Sequence, residues 1–284
     1  MKIHNRLPLL IECLRRWESC PTEEQFVVEY ATPMQSSAGD FFEDFHGVLT
    51  DLDWNAYRRQ TLKIDAAQEE ARLKSHIKAV EDLFGFLLQG DVNLMGSFGA
   101  MDGYARFDRG SHMVFLGVDE SFHRDRYIDI LTTHELTHVA RESRPEVWQG
   151  FGLNPRMTQA EFTESQPVIE HLMGEGFSCA VSEILVPHQP AWEYAYQTQK
   201  SLAKVLGNGP SLDQTVHFEL RHPDGDYGRL YRARPAFAHY VWAWQWTKHV
   251  LKKYADGDPR KLVARCSKDF IQDALEFKLP TSVL

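Results

Sequence analysis

Apolar positions recur along this chain at two periods, and the changes of period divide it. Residues 1–20 place Leu10, Cys13, Leu14 and Trp17 on one side, the spacing of a short amphipathic helix. Gln25 to Tyr30 reads as a strand because it is rich in β-branched and aromatic residues, and 32–40 reads as a loop. Residues 54–89 carry the longest helical pattern, broken once, with Leu73, Ile77, Val80, Phe84 and Leu87 as its buried side. Between 92 and 118 the period shortens. Val92–Met95, Tyr104–Phe107 and His112–Val118 predict strands, punctuated by Gly96, Gly99, Gly103 and Gly110. The glycines admit a close approach of substrate backbone, and an exposed edge strand there holds an extended peptide by main-chain hydrogen bonds.

The helical period then returns. A helix around Thr133–Val139 is led in by Arg126 to Leu131, with Asp125 as N-cap or first-turn acid, and ends at Ser143-Arg144-Pro145. A second helix, Val168–Leu185, has Pro167 in its first turn and Pro187 after its end. It is apolar on most of its circumference and so predicts burial. Residues 207–228 read as mostly loop. Pro235 opens a third helix from Ala236 to about Tyr254, and the tail from Pro259 reads as a short closing helix. The sum is an α+β, helix-rich chain with a small antiparallel or mixed sheet. A mostly helical segment, 1–90, packs on a region 91–284, or the two form one continuous domain.

Composition changes this picture little. The 284 residues are 43 % hydrophobic and 25 % charged, ordinary for a globular chain. The net charge of −9 argues against a nucleic-acid partner. No apolar run approaches the roughly 20 residues a membrane helix needs. Cys13, Cys20, Cys179 and Cys266 show no paired spacing, and no signal peptide is evident. These features predict a cytoplasmic protein with free thiols. Oligomeric state stays open.

Chemistry enters at His134-Glu135-Leu136-Thr137-His138, which is H-E-x-x-H. On a helix, positions i and i+4 share a face, so both imidazoles can bind one Zn²⁺ while the glutamate projects toward a metal-bound water. Zinc lowers the pKa of such a water from about 15.7 toward 7, within reach of a carboxylate base. Glu135 is therefore the candidate general base. A carboxylate in the middle of the apolar helix, Glu175, is costly unless it is paired or metal-bound, which makes it the third ligand. Glu142 shares the histidines' stripe but lies two turns from His134, about 12 Å along the axis, too far for one ion. Glu170, His171 and Glu183 are the other candidates for the third ligand, and sit a turn or two from the most buried part. Gly174, Gly176, Ser178 and Ala180 predict close packing against the metal helix. A hydrolase of this kind needs a donor for a tetrahedral oxyanion. Tyr240 is the candidate, with His239, Tyr231 and Tyr227 as alternatives.

His134-Glu135-Leu136-Thr137-His138 followed by Glu175-Gly176-Phe177 resembles the gluzincin zinc metallopeptidases, which include thermolysin-like enzymes and aminopeptidases. It is also similar to bacterial domains described as predicted zinc-dependent proteases. Gly99-Ala100-Met101-Asp102-Gly103 looks like a variant of the aminopeptidase G-A-M-E-N segment, with Asp102 and Gly103 in place of its Glu and Asn. The resemblance implies one zinc on His134, His138 and Glu175, with Glu135 as base. It also implies that Gly99 and Asp102 bind substrate, and that a sheet lies above the active-site helix. Cys179 stands where thermolysin-like enzymes carry an acid that steadies a zinc histidine. The expected function is zinc-dependent hydrolysis of a peptide or protein substrate. Two others fit the same residues: a non-catalytic zinc domain that holds a partner protein, and hydrolysis of a non-peptide amide or ester. Glu135 favours hydrolysis, since a structural site does not need it.

Overall fold

A computed structural model of the protein describes residues 1–32, 52–98, 102–119, 127–222, 225 and 227–282. The expected loop after Thr32, the N-cap Asp125 and the substrate-binding Gly99 lie outside the described residues.

The chain begins with a strand that its sequence hides. β1 (Lys2–Asn5) is only four residues long, and it pairs in parallel with β2 (Asp91–Met95), from Lys2 opposite Asp91 to Asn5 opposite Leu94. α1 (Leu7–Arg16) follows, burying Leu7, Leu10, Cys13 and Leu14. Gln25–Tyr30 is not a strand. Thr22 and Gln25 form a capping box that starts α2 (Glu23–Phe26), which runs into a π-helical turn, Val27–Ala31. Phe26 and Tyr30, four apart, enter the core, while Val27 and Val28 are 43 % and 61 % exposed. That is helical periodicity, and it overrides the β-branched propensity that suggested a strand.

α3 (Trp54–Thr61) and α4 (Ala66–Phe84) are the long helical pattern, broken once as expected. Asp65 caps α4 by accepting from the Ala67 and Gln68 amides, and Gly85 ends it at a left-handed φ of 77°. Because the helix stops there, Leu87 turns to solvent and Leu88 takes the buried position.

β3 (Gly103–Asp108) and β4 (Ser111–Gly117) form a hairpin. Its turn residues Arg109 and Gly110 both have positive φ, 52° and 80°, the pairing a tight twisted hairpin requires. The sheet is mixed, in the order β1-β2-β4-β3, with β2 and β4 parallel and β3 antiparallel at an edge.

α5 (Tyr127–Glu142) carries the H-E-x-x-H residues, buried on nearly every face. After it come α6 (Pro145–Gln149), α7 (Gln159–Ser165) and α8 (Val168–Leu185). α5 packs against the β3–β4 hairpin, α4 and α8, and α8 packs on its other side against a long C-terminal helix. A short turn, α9 (Ala191–Tyr194), then leads into α10 (Gln199–Gly207) and α11 (Gly209–Arg221). The expected loop at 207–228 is thus mostly helix. Gly209 and Pro210 look like a turn but stand at a helix start, where proline's fixed φ and missing N–H cost nothing. Leu212, Val216 and Leu220 then recur every fourth residue and are buried.

α12 (Gly228–Tyr231) is one turn, and α13 (Ala238–Ala255) is the long C-terminal helix. α13 begins two residues later than its sequence suggests, because Phe237 adopts a left-handed φ of 57°. Gly176 is the contact point between α8 and α13: a Cβ there would lie 2.2 Å from the Ala243 carbonyl oxygen. This small residue therefore serves α13, and not the metal helix as expected. The tail closes with α14 (Ile271–Glu276). One apolar cluster extends from Leu7 to Leu279 and includes residues of both β2 and α13. Among the described residues no helix is long and apolar enough to cross a membrane.

Candidate metal centre

α5 and α8 bring His134, His138 and Glu175 together. His134 Nε2 lies 3.1 Å from Glu175 Oε2 and 3.2 Å from His138 Nε2, and His138 Nε2 lies 3.4 Å from the same oxygen. These three atoms form a nearly equilateral triangle. A tetrahedral zinc with bonds of about 2.0–2.1 Å needs ligand atoms about 3.3–3.4 Å apart, so the donor set fits the ion in both chemistry and spacing. Two imidazole nitrogens facing each other cannot both be satisfied without a shared proton or a cation. Among the described residues this is the group of His, Cys, Asp and Glu side chains that could hold a metal.

The charges at the three ligands are set mutually. Burial pushes His134 below the ordinary imidazole range. Burial would also lower His138, but the Glu175 and Glu142 carboxylates outweigh it and hold this imidazole well above its usual value. Burial would raise Glu175, and the two histidines hold it well below the carboxylate range instead.

Behind the ligands the two histidines are supported differently. His138 Nδ1 donates to Glu142 Oε1 at 3.1 Å, and Glu142 Oε2 accepts from His112 Nε2 at 3.0 Å. This buried His–Glu–His chain fixes the ring of His138 and holds the Glu142 carboxyl at about 2, against the opposing effect of its burial. His134 Nδ1 instead faces the Cys179 sulfur at 3.9 Å, a weak partner. Burial keeps Cys179 a neutral thiol.

Glu135 and the cage open into one cavity of about 350 Å³. Its β-side wall is the edge strand: Gly103, Tyr104 and Ala105. Gly103 packs closely on α5: a Cβ there would lie 2.8 Å from Leu131 Cδ1 and 3.2 Å from Glu135 Cγ, so those side chains would have to shift. Burial pushes the Glu135 carboxyl up to about 8, with His138 and the Ala105 amide pulling the other way. The opposite wall comes from α7, α8 and the tyrosines Tyr227, Tyr231 and Tyr240.

The oxyanion candidates separate here. Tyr240 and Tyr231 line the cavity with their hydroxyls 3.3 Å apart, and the Tyr240 ring is stacked 6.1 Å from that of His134. Tyr227 also lines it, stacked on His171 at 4.3 Å. His239 does not line it. This imidazole is fully buried behind Tyr231, and burial lowers it to about 3. Asp102 also stays out of the cavity lining, and its carboxylate accepts from the Tyr127 hydroxyl.

The other acids considered as ligands have partners elsewhere. Arg141 clamps Glu170 with two bonds of 2.7 and 2.8 Å, and Glu183 accepts from Trp244 and Lys248. Glu142 gains a place the sequence did not give it, behind His138, and His171, an alternative ligand by sequence, lines the cavity without joining the three-residue cluster. His171 lines the cavity one helical turn before Glu175, with its buried Nε2 unbonded among the described residues. The only sequence signal was position, i+4 on α5 for Glu142 and i−4 on α8 for His171. No protein-family model, curated protein or solved structure matches this chain.

Proposed function

We propose that the protein is a zinc-dependent hydrolase, and that its substrates are peptides. The observation that carries this reading is the His134–His138–Glu175 triangle facing an accessible cavity that also holds Glu135. Zinc, when bound, supplies Lewis acidity and lowers the pKa of water at its open position. Glu135 is the base, because its carboxylate faces the same cavity beside the two histidines and can take a proton from water there and return it. Tyr240, supported by Tyr231, is the donor to the oxygen that gains charge in the tetrahedral intermediate. The β3 edge gives an extended peptide main-chain partners beside Glu135, which favours peptide over a small ester. The gluzincin resemblance supports the same ligand set and base. Four free cysteines support a reducing compartment such as the cytoplasm.

The test is Glu135→Gln, assayed on a peptide library at equal zinc content. Loss of hydrolysis with zinc retained supports the reading, and full activity removes it.

A further inference from the structure

The metal cleft has a larger neighbour. A cavity of about 700 Å³, against about 350 Å³ for the cleft, lies beyond α7. Thr163, Gln166 and Tyr227 line both, so the two spaces adjoin there. The Tyr227 hydroxyl crosses this junction to the Thr163 carbonyl at 3.4 Å. Thr163 is solvent-exposed, so a chain passes on the solvent side of that bond.

The second cavity lies among the end of α7, the first turn of α8, the end of α11 and the start of α14. Its walls differ from those of the cleft. Val168 and Ile169 of α8 and Leu220 of α11 are buried apolar side chains. Phe151 and Ile271 add partly exposed apolar surface. Of the charged residues in the lining, Glu164 and Lys268 are exposed, and Glu219 is paired with Arg229 at 3.4 Å.

We propose that the substrate site runs through both cavities. The substrate is then a peptide of several residues, whose chain on one side of the scissile bond seats an apolar side chain in the second cavity. This rests on the hydrolase reading for the bond that is cut, whereas the binding itself needs no catalysis. Three observations support it. The first is continuity: a chain held beside the β3 edge that leaves past Thr163 enters the second cavity. A small ester or amide fills the cleft alone and leaves that space to water. The second is the polarity of the junction. The Gln166 side-chain amide makes no hydrogen bond among the described residues. It offers a donor and an acceptor, the pair that each peptide unit presents. The third is the apolar wall of Val168, Ile169 and Leu220, which favours an apolar side chain over a polar one.

The test is calorimetric binding of three peptides with acetylated and amidated ends to the zinc-loaded, full-length Glu135→Gln variant, which removes turnover. The peptides are a Leu-Ala dipeptide, an octapeptide of Leu, Ala and Ser, and an octapeptide of Gly and Ser. The Leu-containing octapeptide is expected to bind roughly tenfold tighter than the other two, the order that seating one apolar side chain gives. Adding Ile271→Asp sets a charge in the second cavity, at an exposed position where an acid suits the first turn of a helix. It should bring the Leu octapeptide down to the affinity of the dipeptide. Thr163→Trp, also at an exposed position, fills the junction and does the same, and it carries the test if the Ile271→Asp variant does not fold. No binding, equal affinity of the Leu octapeptide and either other peptide, or an advantage untouched by both substitutions overturns the proposal. Wild type is assayed for hydrolysis of the same octapeptide. Binding as expected without hydrolysis refutes the hydrolase reading and leaves the two-cavity site standing.

Discussion

Replacing Glu142 by Gln isolates the buried chain behind His138. The carboxylate accepts from two imidazoles, His138 at 3.1 Å and His112 at 3.0 Å. A glutamine has one acceptor oxygen, so its NH₂ group must face the other ring's N–H, donor against donor. The His138 ring is then left with a neutral amide oxygen at best, or with no acceptor, to fix its proton on Nδ1 and leave Nε2 free for a metal. Losing such a partner typically lowers metal affinity 10–100-fold, about 1.4–2.8 kcal/mol at 1.4 per decade. One buried donor left unsatisfied costs about 1–3 kcal/mol of fold stability as well. The assay is zinc affinity by competition with a chromogenic chelator, with the thermal midpoint read at saturating zinc. Zinc affinity within twofold of wild type would refute the reasoning, provided that Glu175→Gln lowers it in the same assay.

Three other substitutions probe the packing that positions the site. Gly103→Ala places a methyl group 2.8 Å from Leu131 Cδ1 and 3.2 Å from Glu135 Cγ, so it displaces the base or the edge strand; we expect roughly tenfold lower kcat/KM with zinc content unchanged, since small displacements near the chemistry carry large rate penalties. Gly176→Ala sets a Cβ 2.2 Å from the Ala243 carbonyl and forces α8 from α13; overpacking of this kind costs about 1–3 kcal/mol in chemical denaturation. Arg141→Met strands the buried Glu170 carboxylate and leaves the Leu262 and Arg265 carbonyls without their donor; a loss of about 3–5 kcal/mol is expected, and Arg141→Met/Glu170→Leu should recover most of it. A single substitution as damaging as the double in that pair, or a neutral one, would show that the ion pair does not work as described.

The His134–His138–Glu175 cluster was legible in the sequence because each part of it has a local signature. His134 and His138 follow helix periodicity, and Glu175 is an acid on a helix otherwise fit only for burial. Glu142, read as too far from His134 to share an ion with it, lies on the Nδ1 side of His138. Its part behind His138 was not legible, because its second partner, His112, comes from β4, 30 residues away. The same limit hid β1, whose pairing partners lie 89 residues further along and whose own four residues carry no alternation. Two segments misled for local reasons. Val27 and Val28 suggested a strand, although it is Phe26 and Tyr30 that choose the buried face. Gly209-Pro210 suggested a turn where a helix begins. Asp102, placed at the substrate by resemblance, accepts from the Tyr127 hydroxyl, a partner 25 residues away that the sequence does not reveal. Local pattern reports the stripe an element buries; which side chain meets which across elements is decided by tertiary packing.

The most direct measurement is zinc content together with zinc-edge X-ray absorption on the purified protein. The account predicts one zinc per chain, held by two imidazoles and one carboxylate with bonds of about 2.0–2.1 Å and a solvent oxygen completing the shell. Absence of bound zinc under metal-replete conditions, or a shell closed by a fourth protein side chain, would contradict it.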